Sequence, residues 1–190
     1  NTVNPFTGKN PGDNTGRYIP FIHWELVEGD SLEFTVVPKG GGSEAPSTLK
    51  MLLPIEGLRG VKREVLKAIL DAGGKPCPPT IVGVGIAGTA DIATRLAKKA
   101  LLRSMNRRHS ESEVAKLEQE LLDLANKLGI GPMGMGGKTT VLDVRVEYSH
   151  RHPATLAVAV IFNCWALRKA TAKIDPSGQV EYNTNEVWTL

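Results

Sequence analysis

Two cysteines, a pair of histidines and two glycine-rich elbows are the groups in this 190-residue chain whose types could do chemistry. Cys77 sits in "KPCPPT", between prolines that fix φ and withhold local hydrogen bonds, so its thiol is carried on a rigid loop. Cys164 sits in "FNCWALRK", where an apolar run ends. A lone cysteine is most often a small buried residue, and the two are far apart with no C-x-x-C motif, so spacing leaves metal binding and simple burial both open. His150 and His152 in "SHRHPAT" would share a face of an extended strand, as a surface or structural pair. The stretch "VPKGGGSE", residues 37–44, puts three glycines after a β-like run. Such an elbow lets something approach the backbone closely: a phosphate, a carboxylate or another chain. It also suits a plain tight turn.

Two motifs imitate nucleotide sites. "GVGIAG" supplies Gly83, Gly85 and Gly88 in the G-x-G-x-x-G spacing, after a strand and before a helix. The second strand with its terminal acidic residue does not follow, so a tight strand-to-helix turn is expected instead of a dinucleotide site. "GPMGMGGKTT" resembles a phosphate loop, but Pro132 stands where the first required glycine belongs, and a strand-like run follows where a helix is needed.

The elements that must position these groups read as a mixed α/β (α+β) fold, one domain over 1–190, with a mixed sheet and about three main helices. Residues 1–19 are turn chemistry. "PFIHWELVEG" and "SLEFTVVPKG" read as strands joined by a hairpin at Gly29-Asp30. Helical spacing at Val61, Val65, Ile69 and Leu70 predicts the first helix, and a second begins at about Asp91. A third has a capping box of Ser110 and Glu113 and stops at Gly129. "TTVLDVRVEY" alternates, "ATLAVAVIF" reads as a buried strand, and "AKIDPSGQVEYN" as a closing hairpin. The basic run from Lys98 to His109 reads as a solvated helix face, not a nucleic-acid surface.

A hydrophobic fraction of 41% supports one core, and a net charge of +3 suits anionic small molecules without requiring nucleic acid. No apolar run is long enough for a membrane span. Two cysteines make no disulfide framework and point to a reducing, cytoplasmic setting. The start at Asn1 points to a processed or trimmed terminus.

Taken in order, "PKGGGSE", "CPPTIVGVGIAGTAD", "GIGPMGMGGKTTVLDVRVEYSHRHPATLAVAV" and "NCWA" resemble the α-subunit region of the class I fumarate hydratase and tartrate dehydratase family, over nearly the whole chain. The resemblance implies an iron–sulfur hydro-lyase of the tricarboxylic acid cycle type, interconverting malate and fumarate. The alternatives are a tartrate dehydratase α subunit, or an assembly module that is inactive without its β subunit. It implies a 4Fe–4S cluster with Cys77 and Cys164 as two of its three cysteine ligands, and a third ligand upstream of residue 1. Trp165 after Cys164 departs from the family's usual Cys-His-Ala. The resemblance further puts Gly41 against the dicarboxylate and makes His152 an active-site residue. On that basis Gly41 is expected near His152, and the thiols near each other. The partners implied are a β subunit carrying the remaining catalytic groups, the general base among them, in a homo- or hetero-oligomer.

Overall fold

The computed structural model describes residues 2–105 and 107–183. Its contacts divide the chain into two units, Asn1–Ser31 and Leu32–Leu190. The first unit is built of turns. The Asn4 carboxamide oxygen accepts the N–H groups of Phe6 and Thr7, and Asp13 accepts from Thr15. Gly16 and Ile19 form an isolated bridge, and the run 20–29 is not a strand. The hairpin expected at Gly29-Asp30 therefore does not form. Ile22, Trp24 and Leu26 alternate as a half-buried strand would, but they and Phe21 are exposed, so no packed face holds a strand here.

In the second unit, β1 (Leu32–Val36) pairs with β6 (Ala170–Ile174), which pairs with β7 (Val180–Asn183), all antiparallel. The expected closing hairpin is thus present as β6–β7. The register puts Leu32, Phe34 and Val36 on the same face as Ala170, Ala172, Ile174, Val180 and Tyr182. Glu33, Thr35, Thr171 and Lys173 take the other face.

The main sheet has the order β2 (Thr48–Leu52), β5 (Leu156–Asn163), β3 (Thr80–Ala87), β4 (Val141–Tyr148). β3 and β4 are parallel, and β5 is antiparallel to both of its neighbours, β2 and β3. Every residue of β5 is buried, as its unbroken apolar run predicts, because both faces are covered. Val158, Val160 and Phe162 meet α2 (Gly57–Ala72) and α4 (Ser112–Asn126), while Ala157, Ala159 and Ile161 meet α3 (Ala90–Leu102). Val61, Val65 and Ile69 of α2 are in the core. Leu70, one position further round the helix, is 57% exposed. The capping box does not form either: α4 starts at Ser112 with Glu111 as its cap residue, which leaves Ser110 outside the helix.

The glycines of "GVGIAG" serve packing. Gly83 and Gly85 lie inside β3, not in a turn, and a Cβ on Gly85 would stand 1.9 Å from the Ala93 carbonyl oxygen of α3. Only Gly88 lies in the connection, against Arg151. Ala93, Ala97 and Ala100 complete a close helix–strand contact from the other side. Gly85→Ala is expected to destabilise the protein by about 3 kcal/mol, measured by urea unfolding, because backbone and not a flexible side chain blocks the new methyl.

The basic run also differs from its reading. Helix α3 stops at Leu102, and the chain turns inward. Arg103 bonds the fully buried Glu118 of α4 at 2.5 Å, and Arg108 bonds Asp143 at 2.7 Å. Glu118 also accepts the N–H groups of Val146 and His109. Arg145, fully buried on β4, is held by Asp143 and by the carbonyls of Leu101 and Arg103. These charges fasten the 103–111 connection to β4. Glu118→Leu is expected to cost about 3 kcal/mol in the same unfolding experiment, since it removes the close partner of the largely buried Arg103 and leaves only Glu147, 3.8 Å away, as a carboxylate.

Candidate active site

The strand directions decide which sequence-distant groups meet. Cys77 precedes β3 and Cys164 follows the antiparallel β5, so both stand at one end of the sheet. The Trp165 N–H donates to the Cys77 carbonyl at 3.4 Å, which joins the two cysteine segments directly. Cys77 is exposed and Cys164 half-buried, and neither is in a disulfide. Cys77 has φ of +55°, a left-handed conformation that costs a non-glycine residue about 1 kcal/mol and is concentrated at functional sites. The turn that holds it is closed by its N–H to the Gly74 carbonyl at 3.2 Å.

The same end collects both glycine elbows. Gly41–Glu44 form one short helical turn, α1, entered from Gly40. A Cβ on Gly42 would meet the Lys75 carbonyl at 3.3 Å, so the elbow abuts the Cys77 loop, while the position of a Cβ on Gly41 is open. The N–H groups of Gly41 and Gly42 have no protein acceptor among the described residues. The second elbow precedes β4. Met133 donates its N–H to the Pro78 carbonyl at 2.8 Å, and a Cβ on Gly134 would stand 2.8 Å from the Gly74 Cα. Thr140 clamps this loop, accepting the Gly131 N–H through its hydroxyl and the Thr80 N–H through its carbonyl.

Sequence reasoning missed two groups here. Lys39, in the very stretch that carries the glycines, pairs with Glu44 at 2.5 Å. Asn163, next to Cys164, is 2% exposed, and its Nδ2 has no acceptor among the described residues. A lysine before a glycine run was visible in the sequence; nothing marked Asn163 apart from its neighbour.

His152 is not at this end. It lies between β4 and β5, beside Arg151, which packs on Gly88 beyond the far end of β3. The eight residues of β5 separate it from Cys164, roughly 23 Å at the usual strand rise. The expected neighbourhood of Gly41 and His152 within one chain is therefore absent: the antiparallel return of β5 carries the chain away from His152 before it reaches Cys164. The His152 ring accepts the Ala154 N–H at Nδ1, on an exposed loop.

A family model described as fumarate hydratase (Fumerase) matches residues 1–173. The chain belongs to this family. A Methanocaldococcus jannaschii protein, provisionally named L(+)-tartrate dehydratase subunit alpha, is 51% identical over 176 residues, covering 92% of this chain and 62% of its own length. The L(+)-tartrate dehydratase alpha subunits of Escherichia coli strains UTI89 and K12 are each 41% identical, covering 92% and 90% of this chain and 58% and 57% of their own lengths. The chain thus spans about three fifths of the relatives it matches. In this member of the fumarate hydratase family the described residues contain no group of three or more His, Cys, Asp or Glu side chains placed to hold a metal ion. The two thiols are the right donors for an iron–sulfur group but form a partial set. No described helix is long and apolar enough to cross a membrane.

Proposed function

We propose that this chain is the α-type part of a hydro-lyase that removes water from a hydroxy-dicarboxylate, and that it works with a separate β subunit. The observation that supports the reading is the Trp165–Cys77 backbone hydrogen bond, which brings the Cys77 and Cys164 segments to one end of the sheet where both glycine elbows lie. The names of the relatives support L(+)-tartrate as substrate over the malate–fumarate pair that the sequence reading put first.

The thiolates of Cys77 and Cys164 would be two ligands of a 4Fe–4S cluster whose third cysteine lies outside these residues. When bound, that group supplies a Lewis acid for the departing hydroxyl. The chain's own residues bind and orient. The free N–H groups of Gly41 and Gly42 take a substrate carboxylate at close range, which a side chain at Gly41 would block. The rigid Cys77 loop and the Thr140 clamp hold the rim without reorganisation during the reaction. The proton acceptor belongs to the β subunit. His152 serves the thiols of a neighbouring copy, since its own lie a strand length away.

The test is anaerobic co-purification of the full-length protein with its β subunit and an assay on L(+)-tartrate, L-malate and fumarate. Dehydration of tartrate with the highest kcat/KM supports the reading; turnover of none of the three overturns it. In the same assay Gly41→Val is expected to raise KM about a hundredfold with the fold retained, because the position is open and its backbone is not left-handed. Normal kinetics would make the glycines a turn and nothing more.

A further inference from the structure

The two edges of the main sheet are treated differently. Along β4 the edge is closed: Arg103 and Arg108 bond the carbonyls of Val146 and Val144, and Asn126 that of Val141. β2 is the other edge, paired with β5 on one side only. Among the described residues, no group bonds the outward backbone N–H and C=O groups of Thr48–Leu52. A bare edge is a template for another strand unless it is charged, shortened or covered. The one charge on β2, Lys50, lies on the same face as Leu52, which is in the core under α2. Leu49 and Met51 take the other face. Leu53 continues extended, with φ of −71° and ψ of 132°, and joins them. These three are 42%, 48% and 68% exposed, and the exposed Ile55 and Leu58 follow. An apolar stripe therefore runs along the only open edge of this sheet.

We infer that β2 is the contact strand of a two-fold dimer of this chain, pairing antiparallel with β2 of a second copy with Met51 on the axis. Pairing must keep each side chain on its own face, so the axis passes through a residue that stands opposite itself. Lys50 on the axis would set two lysines against each other. Leu49 there would leave Met51 facing Ser47. Leu52 there would run the pairing into the 3-10 turn that starts at Pro54. Met51 on the axis sets Met51 on Met51 and Leu49 on Leu53 twice over, six apolar side chains in one cluster, with Lys50 opposite Leu52.

A copy of this chain fits the edge because of where it brings His152, a point that rests on the proposed reading of His152 as serving a neighbouring copy. β2 is antiparallel to β5, so β5 of the second copy starts at the end where β5 of this chain finishes. In this register Leu156 of the second copy stands level with Val158. The segment before it, which carries the second copy's His152, lies toward the Cys164 end. The two β5 strands are then three strand spacings apart, about 14 Å, against roughly 23 Å of strand between His152 and Cys164 within one chain.

The test uses the full-length protein with its β subunit. Met51→Cys is oxidised briefly with copper phenanthroline and the linked peptides are read by mass spectrometry. A disulfide from position 51 to position 51 can form only between copies, and it is the expected product. Leu49→Cys alone should not link to itself, while a mixture of Leu49→Cys and Leu53→Cys chains should link 49 to 53. Self-association is followed by sedimentation equilibrium. Leu49→Glu and Leu53→Lys are each expected to raise the dimer dissociation constant about tenfold or more, and the two together in one chain to restore it, because these positions meet only across the axis. Linkage of position 51 to the β subunit or to another segment of the full-length chain would overturn the inference. So would the absence of any link, or a double variant that associates no better than the single ones. Should the charged variants fail to fold, the position-51 link decides alone. The link does not depend on activity: if it forms while His152 and Cys77 variants fail to complement, the dimer stands and the shared site falls.

Discussion

Serine in place of Cys77 or Cys164 is expected to lower turnover of the full-length protein with its β subunit by about a thousandfold or more. Two properties of the fold make this a sharp result. Cys77 is exposed and Cys164 half-buried, so replacing sulfur by oxygen removes little packing, and unfolding free energy should change by about 1 kcal/mol or less. The two cysteine segments are also joined, Trp165 N–H to the Cys77 carbonyl, and in the proposed reading both thiols serve one site. Their losses should therefore not add: the double variant should be no worse than either single one. An ordinary pair of small residues predicts the reverse pattern, with turnover nearly unchanged and stability losses that sum. Kinetics and urea unfolding on the three variants separate the two.

The second large effect is complementation between inactive variants. His152→Asn is expected to be inactive on its own, as is Cys77→Ser. If His152 acts on the thiols of a neighbouring copy, mixing the two variants and allowing subunits to exchange restores activity, because a mixed pair contains one site with both an intact cysteine end and an intact histidine. Random pairing in a two-fold dimer would return about a quarter of the wild-type rate. Were His152 to serve its own chain, no mixed pair would hold a complete site, and activity would stay at background. The expectation comes from strand direction alone: β5 runs from the His152 end to the Cys164 end, and an eight-residue strand has no shortcut.

The elements were legible where pattern and burial coincide. The all-apolar β5, the alternating β4, the three long helices and the β6–β7 hairpin all follow from periodicity. The run 20–29 misled because the alternation of Ile22, Trp24 and Leu26 looks like a half-buried strand, yet these residues are exposed and the run pairs with no strand among the described residues. The Lys98–His109 run misled for a different reason. Arginines count as surface residues until a buried carboxylate calls them inward, and Glu118 and Asp143 sit many residues away in sequence. Of the site, the glycine elbow and both thiols were visible as residues. That their segments share one end of the sheet was not: it depends on β5 returning antiparallel to β3, which no local pattern encodes. Asn163 acquires meaning only once that end is assembled, because an orphaned donor is a property of surroundings and not of residue type.

The most direct measurement of the central claim, that Cys77 and Cys164 hold one iron–sulfur group, is the iron and acid-labile sulfide content of the anaerobically reconstituted full-length protein and of its two serine variants. The account predicts about four iron and four sulfide per chain in the wild type, with the visible thiolate-to-iron absorption, and loss of both in either single variant. A wild-type protein that binds no iron, or a single serine variant that keeps its full complement, would contradict it.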